Sequence, residues 1–358
     1  MLDEIFDILE LHKGRGAQIN PADPFSKLNR MEDQITPEEY GDGRYDTSFV
    51  TVHPKSIVNK VTSPDVGMEY SINPYQGCEH GCVYCYARNT HPYWGYSAGL
   101  DFESKIMVKK NAPVLLRRFL QDQSWEGTPI VLSGNTDCYQ PIERKLGITR
   151  ALLQTFRDFD HPVGIITKNS LIQSDLDILR SLAAENLVKV IISITTLDDA
   201  LRRKLEPRTA SVKQRLQTLA LLAKEGIPVG VMVAPIIPGL NDHEIMEIIR
   251  VSSLMGATKA GYTIVRLNGD VEKIFRDWMS KAYPDRYEKV MSRIAECHGG
   301  LVRDSRFGKR MTGEGTYAQI IKDQFKLAVS KYFGQNELSS LNSELYKRRR
   351  QQQLMFDF

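Results

Sequence analysis

The sequence has no apolar run approaching the roughly 18 residues of a membrane-spanning helix. It has no large excess of either charge. Lys and Arg number 47 against 44 Asp and Glu, for a net charge of +3, so any case for a nucleic-acid partner rests on local patches. Cysteine is scarce and odd in number, five in 358 residues, and three of the five fall within eight positions. That pattern disfavours a disulfide framework and favours a metal or redox site in a reducing compartment. There is no Rossmann-type or P-loop glycine motif and no internal repeat. The opening Met1-Leu2-Asp3-Glu4-Ile5-Phe6-Asp7 lacks a basic n-region and a long apolar stretch, so no secretory signal is expected and the expected location is the cytoplasm. A hydrophobic share of 42% and a charged share of 25% are ordinary for a globular chain with room for one large domain or two smaller ones.

What is present is an alternation. Short β-branched runs at 69–72, 129–132, 163–167, 188–194, 229–234 and 261–266 predict strands buried on both faces. Between them lie helical patterns. Ile148, Leu152, Leu153, Phe156 and Phe159 share a face, as do Leu176, Leu179 and Leu182, and then Val212, Leu216 and Leu219. Six strand–helix units imply parallel strands with right-handed crossovers, an α/β fold of partial (β/α)6 TIM-like barrel type. Functional groups then gather at the C-terminal ends of the strands. Residues 1–60 read as an extended, irregular N-terminal lead-in, 61–270 as the barrel core, 271–335 as a helical C-terminal region on the substrate side, and 336–358 as a flexible basic tail.

The strongest signal is Cys78-Glu79-His80-Gly81-Cys82-Val83-Tyr84-Cys85-Tyr86, a C-x3-C-x2-C spacing at the end of the first barrel strand. Three thiolates from one loop can hold three corners of a cubane iron–sulfur cluster and leave one iron open to a small molecule. The competing reading is zinc, with His80 as an additional ligand. A structural zinc site, however, usually draws on two separated ligand pairs, which this stretch does not offer.

On this loop the sequence resembles the radical S-adenosylmethionine (SAM) superfamily. The resemblance implies a [4Fe-4S] cluster whose open iron chelates SAM. It also implies reductive cleavage to a 5′-deoxyadenosyl radical, and a one-electron reductant such as flavodoxin or ferredoxin. Within the superfamily it is similar to spore photoproduct lyases and a bacterial lyase-like subfamily, from about Gly14 to about Gly334. The points of likeness are Ser71 to Cys78, Cys82 to Tyr86, Asn135 to Glu143, Thr167-Lys168 and Ser193 to Arg208. This implies a lyase that repairs pyrimidine dimers in damaged DNA. Two other readings stand beside it: the same radical chemistry on a protein, a tRNA or a small metabolite, and a non-enzymatic iron–sulfur redox sensor that binds DNA.

The resemblance also carries residue roles. Ser133, Asn135 and Asp137 match the position that grips the SAM amino group, although Asp and Asn also cap helices well. Lys168 and Ser193 fall beside SAM, and Arg208 matches a contact to its carboxylate or ribose, with a Glu206–Arg208 structural pair as the alternative. Tyr84 and Tyr86 match tyrosines on the lyase hydrogen-return path, with space-filling in the core as the alternative. The lyase's hydrogen-donating cysteine is replaced here by Gly134, and Cys138, four residues on, is either a substitute donor or a small buried hydrophobe. Cys297 is expected to be structural. Tyr93, Trp94 and Tyr96 are expected to wall off the cluster, base stacking being the alternative. Arg303, Arg306, Lys309 and Arg310 form a basic strip suited to DNA phosphates, or else a solvated face. The tail Gln353-Leu354-Met355-Phe356-Asp357-Phe358 is similar to peptides that dock on the bacterial sliding clamp.

Overall fold

A computed structural model describes residues 12, 14–22, 46–333 and 340–347. Among these residues the strands, in chain order, are β1 (Ser48–Thr51), β2 (Val58–Lys60), β3 (Tyr70–Ile72), β4 (Tyr75–Gln76), β5 (Lys105–Val108), β6 (Ile130–Leu132), β7 (Val163–Thr167), β8 (Val188–Ser193), β9 (Val229–Ile236) and β10 (Ala260–Ile264). The main sheet has the order β10-β9-β8-β7-β6-β3-β2. All neighbours in it are parallel except the β2–β3 pair. The six parallel strands are the six apolar runs of the sequence, and they form the expected partial barrel with a helical C-terminal region.

The crossovers follow from amphipathic periodicity. In α1 (Ala112–Leu120) the buried positions are Ala112, Leu116 and Leu120. In α2 (Ile148–Asp158) they include Ile148, Leu152, Leu153 and Phe156, while Phe159 lies just past the helix end. α3 (Leu176–Ala184) buries Leu179 and Leu182. α4 (Val212–Lys224) starts at a capping box: the Ser211 hydroxyl accepts from the Gln214 amide at 3.3 Å, and the Gln214 side chain accepts from the Ser211 amide at 3.0 Å. α5 (Ile245–Leu254) links β9 to β10. These helices and the sheet enclose one large core that includes Leu132, Ile165, Val190, Val231 and Ile249.

The C-terminal region supplies α6 (Val271–Ala282), α7 (Tyr287–Glu296) and α8 (Gly315–Tyr332). α8 packs on α5 and β10, with the Phe325 ring 4.5 Å from that of Tyr262. Between α7 and α8 the chain runs beside the end of β10: the Ile264 amide donates to the Met311 carbonyl at 2.8 Å and the Leu267 amide to the Val302 carbonyl at 2.9 Å. No described helix is long and apolar enough to cross a membrane.

The N-terminal residues depart from a simple lead-in. β1 pairs in parallel with β5 in a second, three-stranded sheet, and β2 extends the main one. Ala17 is fully buried. A Cβ on Gly16 would lie 1.7 Å from the Gly81 carbonyl oxygen, so only glycine allows this segment to lie against the cysteine loop.

Two buried histidines fix a pH response. Burial holds the His91 imidazole down to about 4 and His161 down to about 3. Unfolded, each binds a proton below about pH 6.5 that the folded protein refuses, so stability is lost as pH falls from 6.5. At pH 5 the loss is about 2 kcal/mol for each histidine. Denaturant unfolding of wild type and His161→Gln at pH 7.5 and pH 5 checks this: the variant is expected to lose less stability than wild type between the two, and equal losses would contradict it.

Candidate active site

The cysteine loop follows β3 and is fixed by backbone and buried charge. Gly77 and Gly81 adopt φ +79° and +67°, the left-handed region that glycine tolerates. The Cys78 amide donates to the Phe102 carbonyl at 2.9 Å, and the Glu79 amide to Gln140 Oε1 at 3.0 Å. Arg88 is fully buried. Its Nε donates to the Cys82 carbonyl at 2.9 Å, and its Nη1 to the Ala98 and Gly99 carbonyls at 3.2 and 2.9 Å. Its Nη2 forms an ion pair with Glu103 at 2.5 Å, also fully buried. The Glu103 carboxylate in turn accepts from the Gly16 and Ala17 amides at 3.0 and 2.7 Å. One buried pair thus ties together the cysteine loop, the N-terminal segment and the 98–103 stretch.

The donor set, three thiols on one loop, fits a cubane. Cys78 and Cys82 are buried and Cys85 is half-buried. Burial raises the Cys78 thiol, and Asp137 raises it further; tight turns join the three, the Gly81 amide donating to the Cys78 carbonyl at 3.4 Å and the Cys85 amide to the Cys82 carbonyl at 3.3 Å. Burial pushes the Cys82 thiol up to about 12. Among the described residues no three His, Cys, Asp or Glu side chains converge as a single metal ion requires. A cubane, by contrast, spreads three thiolates over separate irons. His80 is committed elsewhere: its Nδ1 lies 3.4 Å from Asp137 and its Nε2 3.1 Å from the Asn169 amide.

The other strand ends surround this loop. Ser133 takes φ +71°, and its hydroxyl accepts from the Cys138 amide at 2.7 Å. The Asp137 carboxylate accepts from the Thr167 hydroxyl at 2.8 Å, the Lys168 amide at 2.8 Å and the Tyr139 amide at 2.9 Å. Asp137 therefore links β6 to β7 and to His80. Asn135 differs. Its backbone amide donates to Asn73 at 2.8 Å, but its side-chain amide has no partner among the described residues. The Lys168 ammonium is likewise without an ion pair there. Burial lowers its pKa, but the Cys82 and Glu206 charges outweigh that and raise it overall. Ser193 is buried at the end of β8, and its carbonyl accepts from Arg215 Nη1 at 3.1 Å.

Glu206 pairs with Arg215, not with Arg208. Both members are buried, with Nη2 2.5 Å from Oε2. The Thr195 hydroxyl donates to Glu206 at 2.6 Å, and the Tyr84 hydroxyl also donates to it. Although burial opposes ionisation, Arg215 and Lys168 hold the Glu206 carboxyl down to about 2. Past Pro207 the chain turns, and Arg208 faces Glu79 at 3.6 Å and the Thr47 hydroxyl at 3.4 Å. It lines an open cavity of about 510 Å³ with Arg15, Asp46 and Lys145, and its backbone amide donates to the His80 carbonyl in the cysteine loop at 3.3 Å.

The hydrogen-donor candidates separate by burial. Tyr84 is buried against Glu206. Tyr86 is 52% exposed, and its hydroxyl donates to the Gly134 carbonyl. Cys138 is fully buried in the main core, its thiol beside the Ser133 and Thr149 hydroxyls. Cys297 is buried in the same core, as a structural role requires. Tyr93 and Trp94 are exposed, at 77% and 37%, so they do not wall off the loop; the Tyr96 ring packs tilted at 33° against His91, with centroids 5.6 Å apart.

The basic strip is fully ion-paired. Arg303 lies 3.5 Å from Glu272, Arg306 2.8 Å from Asp304 and 2.6 Å from Glu314, Lys309 2.5 Å from Glu314, and Arg310 2.5 Å from Asp65. The clamp-like tail Gln353 to Phe358 lies outside the described residues. Sequence reasoning missed Arg88, Glu103 and Arg215, because an isolated charged residue carries no sequence mark of burial.

Comparisons with known proteins agree with this geometry. Residues 72–251 match the radical SAM superfamily. An uncharacterized protein of Mycobacterium tuberculosis is 31% identical over 69% of this chain and 74% of its own length. An uncharacterized protein of Methanocaldococcus jannaschii is 28% identical over 69% of this chain and 88% of its own. Among solved structures, spore photoproduct lyase complexed with dinucleoside spore photoproduct superposes with a TM-score of 0.59 at 18% identity, over 80% of each chain, a likeness of fold. The chain belongs to the radical SAM superfamily, with a fold like that of spore photoproduct lyase, and its cofactors are a [4Fe-4S] cluster and S-adenosylmethionine.

Proposed function

We propose that this radical SAM enzyme is a lyase acting on a pyrimidine photolesion in DNA. The observation that carries the reading is the phenol of Tyr86. Half-exposed, it bonds to the carbonyl of Gly134, the position where the lyases it resembles have their hydrogen-donating thiol. A thiol at 134 does not fit, since a Cβ there would lie 2.7 Å from Ser71 Cβ. The solved lyase bound to a dinucleoside photoproduct supports the same substrate class.

In this reading Cys78, Cys82 and Cys85 hold three irons. Bound there, the cluster and SAM supply hydrogen-atom abstraction once a reductant such as flavodoxin or ferredoxin delivers one electron. Asn135 and Lys168 offer unpartnered donors to the SAM amino-acid end, a charge-assisted contact in the case of Lys168. Ser133, Asp137 and Ser193 hold the surrounding backbone, and Arg208 serves from the neighbouring cavity. Tyr86 lies on the path by which hydrogen is returned to the opened lesion; Tyr84 positions Glu206, and the Cys138 thiol packs the core beside the donor loop. A lesion must leave the base stack to reach a barrel mouth, which weakened stacking eases.

The ion-paired strip favours a second reading, in which the same chemistry serves a protein, a tRNA or a small metabolite, because paired arginines must exchange carboxylates for phosphates. A Pseudomonas phage M6 relative named radical SAM Nα-GlyT isomerase, 27% identical over 48% of this chain and 34% of its own length, is compatible with a different outcome. Anaerobic incubation with reductant, SAM and ultraviolet-irradiated oligonucleotide decides between the two. The lyase reading expects photoproduct to disappear and thymine to be restored. Accumulating 5′-deoxyadenosine with unchanged lesion content would remove it.

A further inference from the structure

We infer that Arg266 is the substrate-anion receptor of the barrel mouth, binding a phosphodiester of the nucleic-acid substrate next to the Tyr86 phenol. The inference rests on the lesion reading above and names a residue and a contact which that reading lacks.

Arg266 follows β10, the last parallel strand, at the end of the sheet where the cysteine loop, Asn135 and Lys168 also lie. It is half-buried, yet no carboxylate lies within ion-pair distance of it among the described residues. Its one hydrogen bond among the described residues is from Nη1 to the Met311 sulfur, at 3.0 Å. A guanidinium carries five N–H donors, and a thioether is a weak acceptor, so most of its capacity is unused. Its surroundings make this unusual. Arg303, Arg306, Lys309 and Arg310 each have a carboxylate partner. Asp65 is occupied by Arg310 and by the Gly308 amide at 2.7 Å, and Asp304 by Arg306. Burial and the nearby Arg310 charge lower the Arg266 pKa, while Tyr86, Asp65 and Asp304, also nearby, act the other way. A half-buried cation beside a second cation, with free forked donors and its local carboxylates spent, is suited to an incoming oxyanion. Phosphodiester is the oxyanion a dinucleotide lesion brings, and a bidentate contact there would hold the lesion against Tyr86.

The full-length, cluster-loaded protein tests this with a labelled, ultraviolet-irradiated thymine-rich oligonucleotide. Binding is read by fluorescence anisotropy between about 50 and 200 mM salt, and turnover by lesion loss. Arg266→Gln is expected to weaken binding about tenfold and to reduce the salt slope by about one, with Arg266→Lys in between. Arg266 bonds to only one side chain, so both variants are expected to keep the wild-type melting temperature. A dinucleoside photoproduct without the linking phosphate forms the second arm: wild type and Arg266→Gln are expected to turn it over equally. Wild type that binds and repairs the strand while Arg266→Gln matches it in affinity and slope overturns the inference alone. Wild type that neither binds nor repairs the strand overturns the lesion reading and the inference together. A defect of Arg266→Gln on the phosphate-free substrate equal to that on the strand also overturns it, since the role then lies elsewhere than with phosphate.

Discussion

Cys78→Ala, Cys82→Ala and Cys85→Ala are each expected to abolish 5′-deoxyadenosine formation and to lose most of the bound iron. In the proposed arrangement each thiolate holds its own iron. His80, the nearest substitute by sequence, has both ring nitrogens engaged by Asp137 and Asn169. The controls are within the same chain. Cys138→Ala and Cys297→Ala remove thiols buried in the main core, and iron content and SAM cleavage are expected to stay at the wild-type level. Iron analysis and product chromatography under anaerobic conditions read all five variants. A single loop-cysteine variant with full iron and activity would contradict the ligand assignment.

The second large effect is at Arg88. Arg88→Met leaves the Glu103 carboxylate buried without its cation and frees three carbonyls, those of Cys82, Ala98 and Gly99. Removing one partner of a buried pair costs about 3–5 kcal/mol, because the remaining charge is uncompensated. Glu103→Gln is expected to fall in the same direction, since the Gly16 and Ala17 amides lose a charged acceptor. Both variants are expected to retain less cluster at equal protein concentration, because the pair fixes the backbone from which Cys82 projects. Denaturant unfolding combined with iron per chain checks this. Stability within about 0.5 kcal/mol of wild type with full iron would refute the clamp, as that is the range of ordinary surface substitutions.

Much of this architecture is legible in the sequence, for identifiable reasons. β7 coincides with its apolar run, and β8 and β9 differ from theirs only at the ends, because strands buried on both faces must be apolar throughout. The cysteine loop is legible because its chemistry needs fixed residue types at fixed spacing. The small sheet of β1, β5 and β4 is not, since β1 is exposed throughout and carries no alternating pattern. The choice of Arg215 over Arg208 as the partner of Glu206 is not legible either. It depends on the turn after Pro207 and on α4 lying over β8, both tertiary facts. The basic strip reads correctly as a cluster of cations, but its carboxylates come from Asp65, Glu272, Asp304 and Glu314, two of them distant in sequence. Cation counts along a chain do not reveal such neutralisation.

Electron paramagnetic resonance of the anaerobically reconstituted, reduced protein, recorded with and without SAM, bears on the centre itself. The expected spectrum is that of a reduced [4Fe-4S] cluster whose signal shifts when SAM occupies the iron that no protein side chain holds. A signal unmoved by saturating SAM, or a loop that retains zinc in place of iron and sulfide, would contradict the account.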